Sequence, residues 1–85
     1  DPKVATALNN LALLYDAQER YAEAEPMFKR AQAIVETALG PEHPSLATGL
    51  ENYAVLLRKT GRKAEAIEME ARARAIRAKH AIPNL

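Results

Sequence analysis

Apolar residues recur along the first stretch of the chain at helical spacing. Val4, Leu8, Leu11 and Tyr15 fall at offsets of 4, 7 and 11 residues, which places them on one face of a helix. Leu46, Leu50, Tyr53 and Leu57 repeat those offsets in the second half. Between them Ala24, Phe28, Ala31 and Val35 line one face of another segment, where small alanines let paired helices approach closely. The pattern predicts four helices, at about 3–18, 21–39, 45–60 and 63–80. Strands are not expected, because β-branched and aromatic runs are missing.

The ends of these segments carry stop and start signals. Pro2 and Pro44 suit a first helical turn, where the absent N–H costs little, and Asp1 can accept from the amides ahead of it. His43 holds the equivalent cap position before Pro44. Gly61 can take the left-handed conformation that closes a helix. Glu19 stands in the same place of the first turn, so that turn is expected to be looser. Pro26 falls early in its helix, where one hydrogen bond is lost and the helix continues. Gly40-Pro41-Glu42-His43-Pro44 breaks the chain at its middle, and Pro83 is expected to stop the last helix.

Pro2 recurs as Pro44, 42 residues on, and this offset relates Leu8 to Leu50, Asn10 to Asn52, Ala24 to Ala66, Arg30 to Arg72 and Ile34 to Ile76. The chain therefore divides into two copies of one unit, 1–42 and 43–85. Phe28 and Val35 become Glu70 and Arg77 in the second copy, so the face that would receive a third unit is charged and the second copy reads as a cap. Since three or so repeats are usually needed for an independent stack, the chain is expected to be a C-terminal piece of a longer repeat protein.

The runs Leu8-Asn9-Asn10-Leu11-Ala12-Leu13-Leu14-Tyr15, Tyr21-Ala22-Glu23-Ala24-Glu25-Pro26-Met27-Phe28, Ala31-Gln32-Ala33-Ile34 and Leu39-Gly40-Pro41-Glu42-His43-Pro44 resemble the 42-residue tetratricopeptide repeat of the kinesin light chain type. The resemblance implies an all-α fold, two antiparallel helix-turn-helix repeats stacked as a short right-handed α-solenoid. It also implies an interaction module whose first helices line a concave groove for a peptide or partner protein, with the Asn matching Asn10 and Asn52 touching the ligand. Three positions depart from that pattern: Lys63 replaces the turn aromatic, Glu70 the large apolar residue, and Glu19 the glycine.

Composition narrows the chemistry. Twelve basic and eleven acidic residues leave a net charge of +1, which gives little pull toward nucleic acid. A basic helix end with Arg72, Arg74, Arg77 and Lys79 near Arg58, Lys59, Arg62 and Lys63 is the one alternative, and Glu65, Glu68 and Glu70 dilute it. No cysteine is present. No apolar run spans a bilayer and Asp1-Pro2-Lys3 is no signal peptide, so no membrane partner and a cytoplasmic location are expected. His43 and His80 lie too far apart in sequence to suggest a metal site, and Gly40, Gly49 and Gly61 form no phosphate loop. Glu68 and Glu70 sit four residues before Arg72 and Arg74, as on a solvated helix face. The reading is of a chain that is not an enzyme and takes neither cofactor nor metal.

Two surfaces stand out. Opposite the apolar stripe, Thr6, Asn10, Leu13 and Ala17 share a strip of the first helix, and Thr48, Asn52, Val55 and Lys59 share its counterpart. Apolar side chains beside amides suit a peptide, since Asn both donates and accepts; the alternative is that these Asn bond neighbouring helices. The second surface, around Ala7, Leu11, Leu14 and Gln18, has no preceding helix to cover it and is expected to support a homodimer through the first helix.

Overall fold

The computed structural model describes residues 1–81. Four helices follow in order: α1 (Pro2–Ala17), α2 (Tyr21–Leu39), α3 (Pro44–Lys59) and α4 (Lys63–Ala81). Each lies within a residue or so of its expected bounds; the stop expected at Pro83 lies outside the described residues. α1 packs on α2 and α3 on α4 as helical hairpins, and α3 also packs on α2, so the hairpins stack into a slab of 45 × 29 × 17 Å.

Local chemistry sets the helix ends. Asp1 Oδ1 accepts from the Lys3 amide at 2.9 Å, and His43 Nδ1 accepts from the Ser45 amide at 3.1 Å, so both first helices are capped two residues ahead. Pro26 sits inside α2 without ending it. The turn at Glu19 is not looser than its counterpart. Glu19 adopts φ 61° and Gly61 φ 78°, and the bonds Arg20 N–H to Tyr15 C=O and Arg62 N–H to Leu57 C=O are both 2.8 Å. Closing the turn forces the left-handed conformation on whichever residue is there, at about 1–2 kcal/mol for a non-glycine.

Two buried clusters run through the stack. Ala5, Ala31, Val35, Leu46, Ala47, Leu50, Ala73 and Ile76 form one. Ala12, Ala24, Phe28, Tyr53, Ala54, Leu56, Leu57 and Ala66 form the other. Both draw on all four helices, so the repeats share one core and neither is complete alone. The stripe expected on α3 is fully buried, as is the Ala24–Phe28–Ala31–Val35 face of α2.

On α1 the expected stripe needs correction. Val4 and Leu11 are exposed, Leu8 and Tyr15 half-buried, and the buried residues are Ala5, Ala12 and Asp16, one position further round the helix. The reason is geometric: α3 is flanked by α2 and α4, whereas α1 has α2 and a narrow contact with α3. Leu14 is thus 54% exposed while its counterpart Leu56 is 0% exposed in the cluster with Phe28, a burial worth about 1.5–3 kcal/mol. Gly49 of α3 lies against α2, beside Gln32, whose Cγ is 3.7 Å from where a Cβ would stand.

The charges also pair differently from the expected four-residue spacing within α4. Arg58 on α3 clasps Glu70 with contacts of 2.8 and 2.6 Å, and Arg72 reaches Glu36 on α2 at 3.0 Å. These bridges join helices rather than decorating one.

Candidate functional site

The first helices of the two hairpins lie side by side over α2, and between them is a cleft of ≈ 310 Å³. α1 lines it with Pro2, Ala5, Thr6, Asn9 and Asn10, α2 with Ala31, Gln32, Val35 and Leu39, and α3 with Ser45, Leu46, Thr48 and Gly49. Thr6, Asn10 and Thr48 of the expected strip therefore line one cavity. Helical spacing carries the strip away from that cavity through Leu13 and Ala17 on α1 and Val55 on α3. Leu13 is 38% and Val55 47% exposed, and Ala17 is exposed as well. Asn52 is half-buried and lies outside the cleft lining.

Lys59, at the end of the α3 strip, has a partner within the fold. Its Nζ lies 3.4 Å from both carboxylate oxygens of Asp16, and Asp16 is only 6% exposed. A nearly buried carboxylate needs such a counter-charge, so Lys59 ties α3 to α1. The sequence pattern does not reveal this pair, because Asp16 and Lys59 are 43 residues apart.

The expected strip also misses two residues of the cleft lining that carry buried polar atoms. Asn9 Oδ1 and Gln32 Nε2 are buried and meet no hydrogen-bond partner among the described residues. Asn9 lies one position from Asn10, on the side of α1 that turns toward α2 and α3. Its helical neighbours give the signal: counted from Ala5, Asn9, Ala12 and Asp16 fall at offsets of 4, 7 and 11, and the alanines there allow close packing.

Of the expected self-association face, Ala7, Leu11, Leu14 and Gln18 are all exposed. At the other end of the stack, Glu70 and Arg77 are engaged by Arg58 and Glu51. The basic residues considered for nucleic acid are mostly neutralised within the fold: Arg58 by Glu70, Lys59 by Asp16, Arg62 by Glu25 and Glu65, Arg72 by Glu36, Arg77 by Glu51 and Lys79 by Glu42. Among the described residues no group of three His, Asp or Glu converges as a metal site, and no described helix is long and apolar enough to cross a membrane.

A stack of helical hairpins with a cleft between its first helices is the architecture of a repeat scaffold. Residues 3–79 match the tetratricopeptide repeat family, and the chain belongs to it. Proteins of this family generally mediate protein–protein interaction, as scaffolds rather than catalysts. No curated protein matches the chain.

Proposed function

We propose that the chain binds an extended segment of a partner protein on the concave face made by α1 and α3, without catalysing a reaction. The observation that carries this is the pair of exposed apolar side chains, Leu13 and Val55, at equivalent positions of the two repeats. Each lies on the strip that runs from the cleft between α1 and α3. Exposed apolar side chains aligned along a concavity, with amides beside them, favour a polypeptide over a small charged ligand. The 42-residue spacing and the runs around Asn10 and Asn52 support repeats of the kinesin light chain type. We read 1–42 as a repeat and 43–85 as a capping repeat, because Glu70 and Arg77 stand where the first unit buries Phe28 and Val35. Two variants test the face, Asn10→Ala with Asn52→Ala and Leu13→Asp with Val55→Asp. Partners captured by the wild-type protein should be lost from both; an unchanged set from folded variants overturns the assignment.

The exposure of Leu14 favours a second reading, a two-fold dimer in which α1 helices pair through Ala7, Leu11, Leu14 and Gln18. The charged far end offers this apolar patch no head-to-tail partner. Sedimentation equilibrium should show a dimer for the wild type and a monomer for Leu14→Glu; a monomeric wild type removes the reading.

A further inference from the structure

The chain has two histidines, and the fold brings both to one place. A cavity of ≈ 360 Å³ opens where the linker between the repeats, residues 40–43, passes the last turn of α4, and Glu42, His43, Lys79 and His80 line it. Histidine is the side chain that changes charge between about pH 5 and 8. The junction of the repeats therefore gathers the side chains of this protein that respond to mild acid.

The two rings are used in opposite ways. His43 Nδ1 accepts from the Ser45 amide at 3.1 Å and caps α3. Only an unprotonated nitrogen accepts; a proton on Nδ1 turns it into a donor facing another donor, and sets positive charge at the end of the helix where the macrodipole is itself positive. His80 Nε2 lies 2.8 Å from the Glu42 carbonyl oxygen, which can only accept, so Nε2 donates. That bond survives protonation of the ring, and a cation in the last turn of α4 complements its dipole.

Nothing lining the cavity offsets a charge on His43. Glu42 is its one acid and already pairs with Lys79. The hydrogen bond from Lys79, and then its charge, holds the Glu42 carboxyl below the usual carboxylate range, so this pair stays ionised while imidazoles titrate. α2 contributes only Leu39, and neither α1 nor α3 adds a charged group to the lining. Two protonated rings thus leave two positive charges unbalanced there. Glu42, His43 and His80 do not converge on a metal ion.

The first repeat provides the comparison. Asp1 occupies the position equivalent to His43 and caps α1 through a carboxylate oxygen at 2.9 Å, a group that ordinarily keeps its charge throughout the range in which imidazoles titrate. The counterparts of Lys79 and His80 on α2 are Thr37 and Ala38. Of two matching helix starts, one carries a cap that a proton can remove.

We propose that the junction between the repeats is a proton-responsive joint: mild acid releases the cap that His43 places on α3, while His80 and Lys79 keep the linker tied to α4. Ser45, whose amide is released, lines the cleft between α1 and α3. A proton taken up at the linker is therefore felt at the edge of the face assigned to a partner. That consequence rests on the concave-face reading; the joint itself does not.

NMR of the whole chain between about pH 8 and 5 tests the joint without a partner. The Ser45 amide proton should move upfield with the same midpoint as the His43 ring signals. It should stay in place in His43→Asn, whose side-chain oxygen accepts throughout this range. His80→Gln keeps a donor without a titrating ring and should leave the Ser45 response intact. Over the same range the melting temperature of the wild type should fall by about 4–8 °C relative to His43→Asn, the effect of one helix cap in a domain of this size. A Ser45 amide that does not follow the His43 ring overturns the proposal, as does one that still titrates in His43→Asn or stops titrating in His80→Gln. A melting-temperature difference that stays constant with pH overturns it too. Because no readout involves a partner, failure of the joint leaves the concave face in place, and unchanged partner capture by the Leu13→Asp with Val55→Asp variant leaves the joint in place.

Discussion

The Tyr53 hydroxyl on α3 donates to the Glu25 carboxylate on α2 at 2.5 Å, and Arg62 reaches the same carboxylate at 2.6 Å. One acid thus gathers the first helix and the turn of the second repeat onto the first repeat. Its pKa lies below the usual carboxylate range, chiefly because Tyr53 hydrogen-bonds the charged form, with Arg62 adding to it. Burial, and then the hydrogen bond to Glu25, pushes the Tyr53 hydroxyl up to about 12.

The two shifts set opposite pH limits on the bond. A lowered acid pKa stabilises the fold above the unfolded-state value and loses that contribution as pH falls through the folded value; a raised tyrosine pKa contributes below its ordinary value of 10.0 and loses it toward about 12. Tyr53→Phe should cost about 1–2 kcal/mol near neutral pH. The difference from wild type should shrink in acid below the carboxylate range and again in strong alkali. Urea denaturation across pH reads this directly, and a difference that stays constant from acid to alkali rules the bond out as its source.

The paired turns allow a reciprocal exchange. Because Glu19 holds φ 61° where its counterpart is Gly61, Glu19→Gly should stabilise the protein by about 1 kcal/mol and Gly61→Glu should destabilise it by a similar amount. Thermal unfolding of the two variants gives the comparison. Equal effects of one sign would show that side-chain contacts, not backbone conformation, dominate there.

Gly49 lies inside α3, and a Cβ there meets Gln32 Cγ at 3.7 Å, an ordinary contact. Its counterpart in α1 is already Ala7. Gly49→Ala should therefore raise stability by about 0.5–1 kcal/mol, by relieving the entropy that a helical glycine loses. A fall in denaturation midpoint would mean that Gln32 cannot yield.

Leu14 and Leu56 occupy the same position of the two repeats with opposite exposure. Leu56→Ala should cost about 2–5 kcal/mol, whereas Leu14→Ala in the monomer should stay within about 0.5 kcal/mol. Denaturation at low and high protein concentration separates these terms from self-association. A concentration-dependent cost at Leu14 alone would support the paired-α1 reading.

The sequence by itself determined what depends on neighbours along the chain. Helix periodicity, the caps at Asp1 and His43, the break at Gly40-Pro41 and the 42-residue copy of one unit are local or repetitive signals, and all are legible without coordinates. The inward stripe of α3 was legible too, since a helix with neighbours on both flanks buries its large apolar residues. The same reasoning misplaced the stripe of α1, because what a stripe buries depends on whether a neighbour is there to receive it, and only the stack decides that. The partners of Glu70, Arg72 and Lys59 were decided the same way: i,i+4 spacing proposes contacts within one helix, but packed helices offer other charges. The candidate site divides along this line. Thr6, Asn10 and Thr48 follow from periodicity, whereas Asn9 and Gln32 come to line one cavity only when α1, α2 and α3 meet around it, a relation among three helices that no single periodicity encodes.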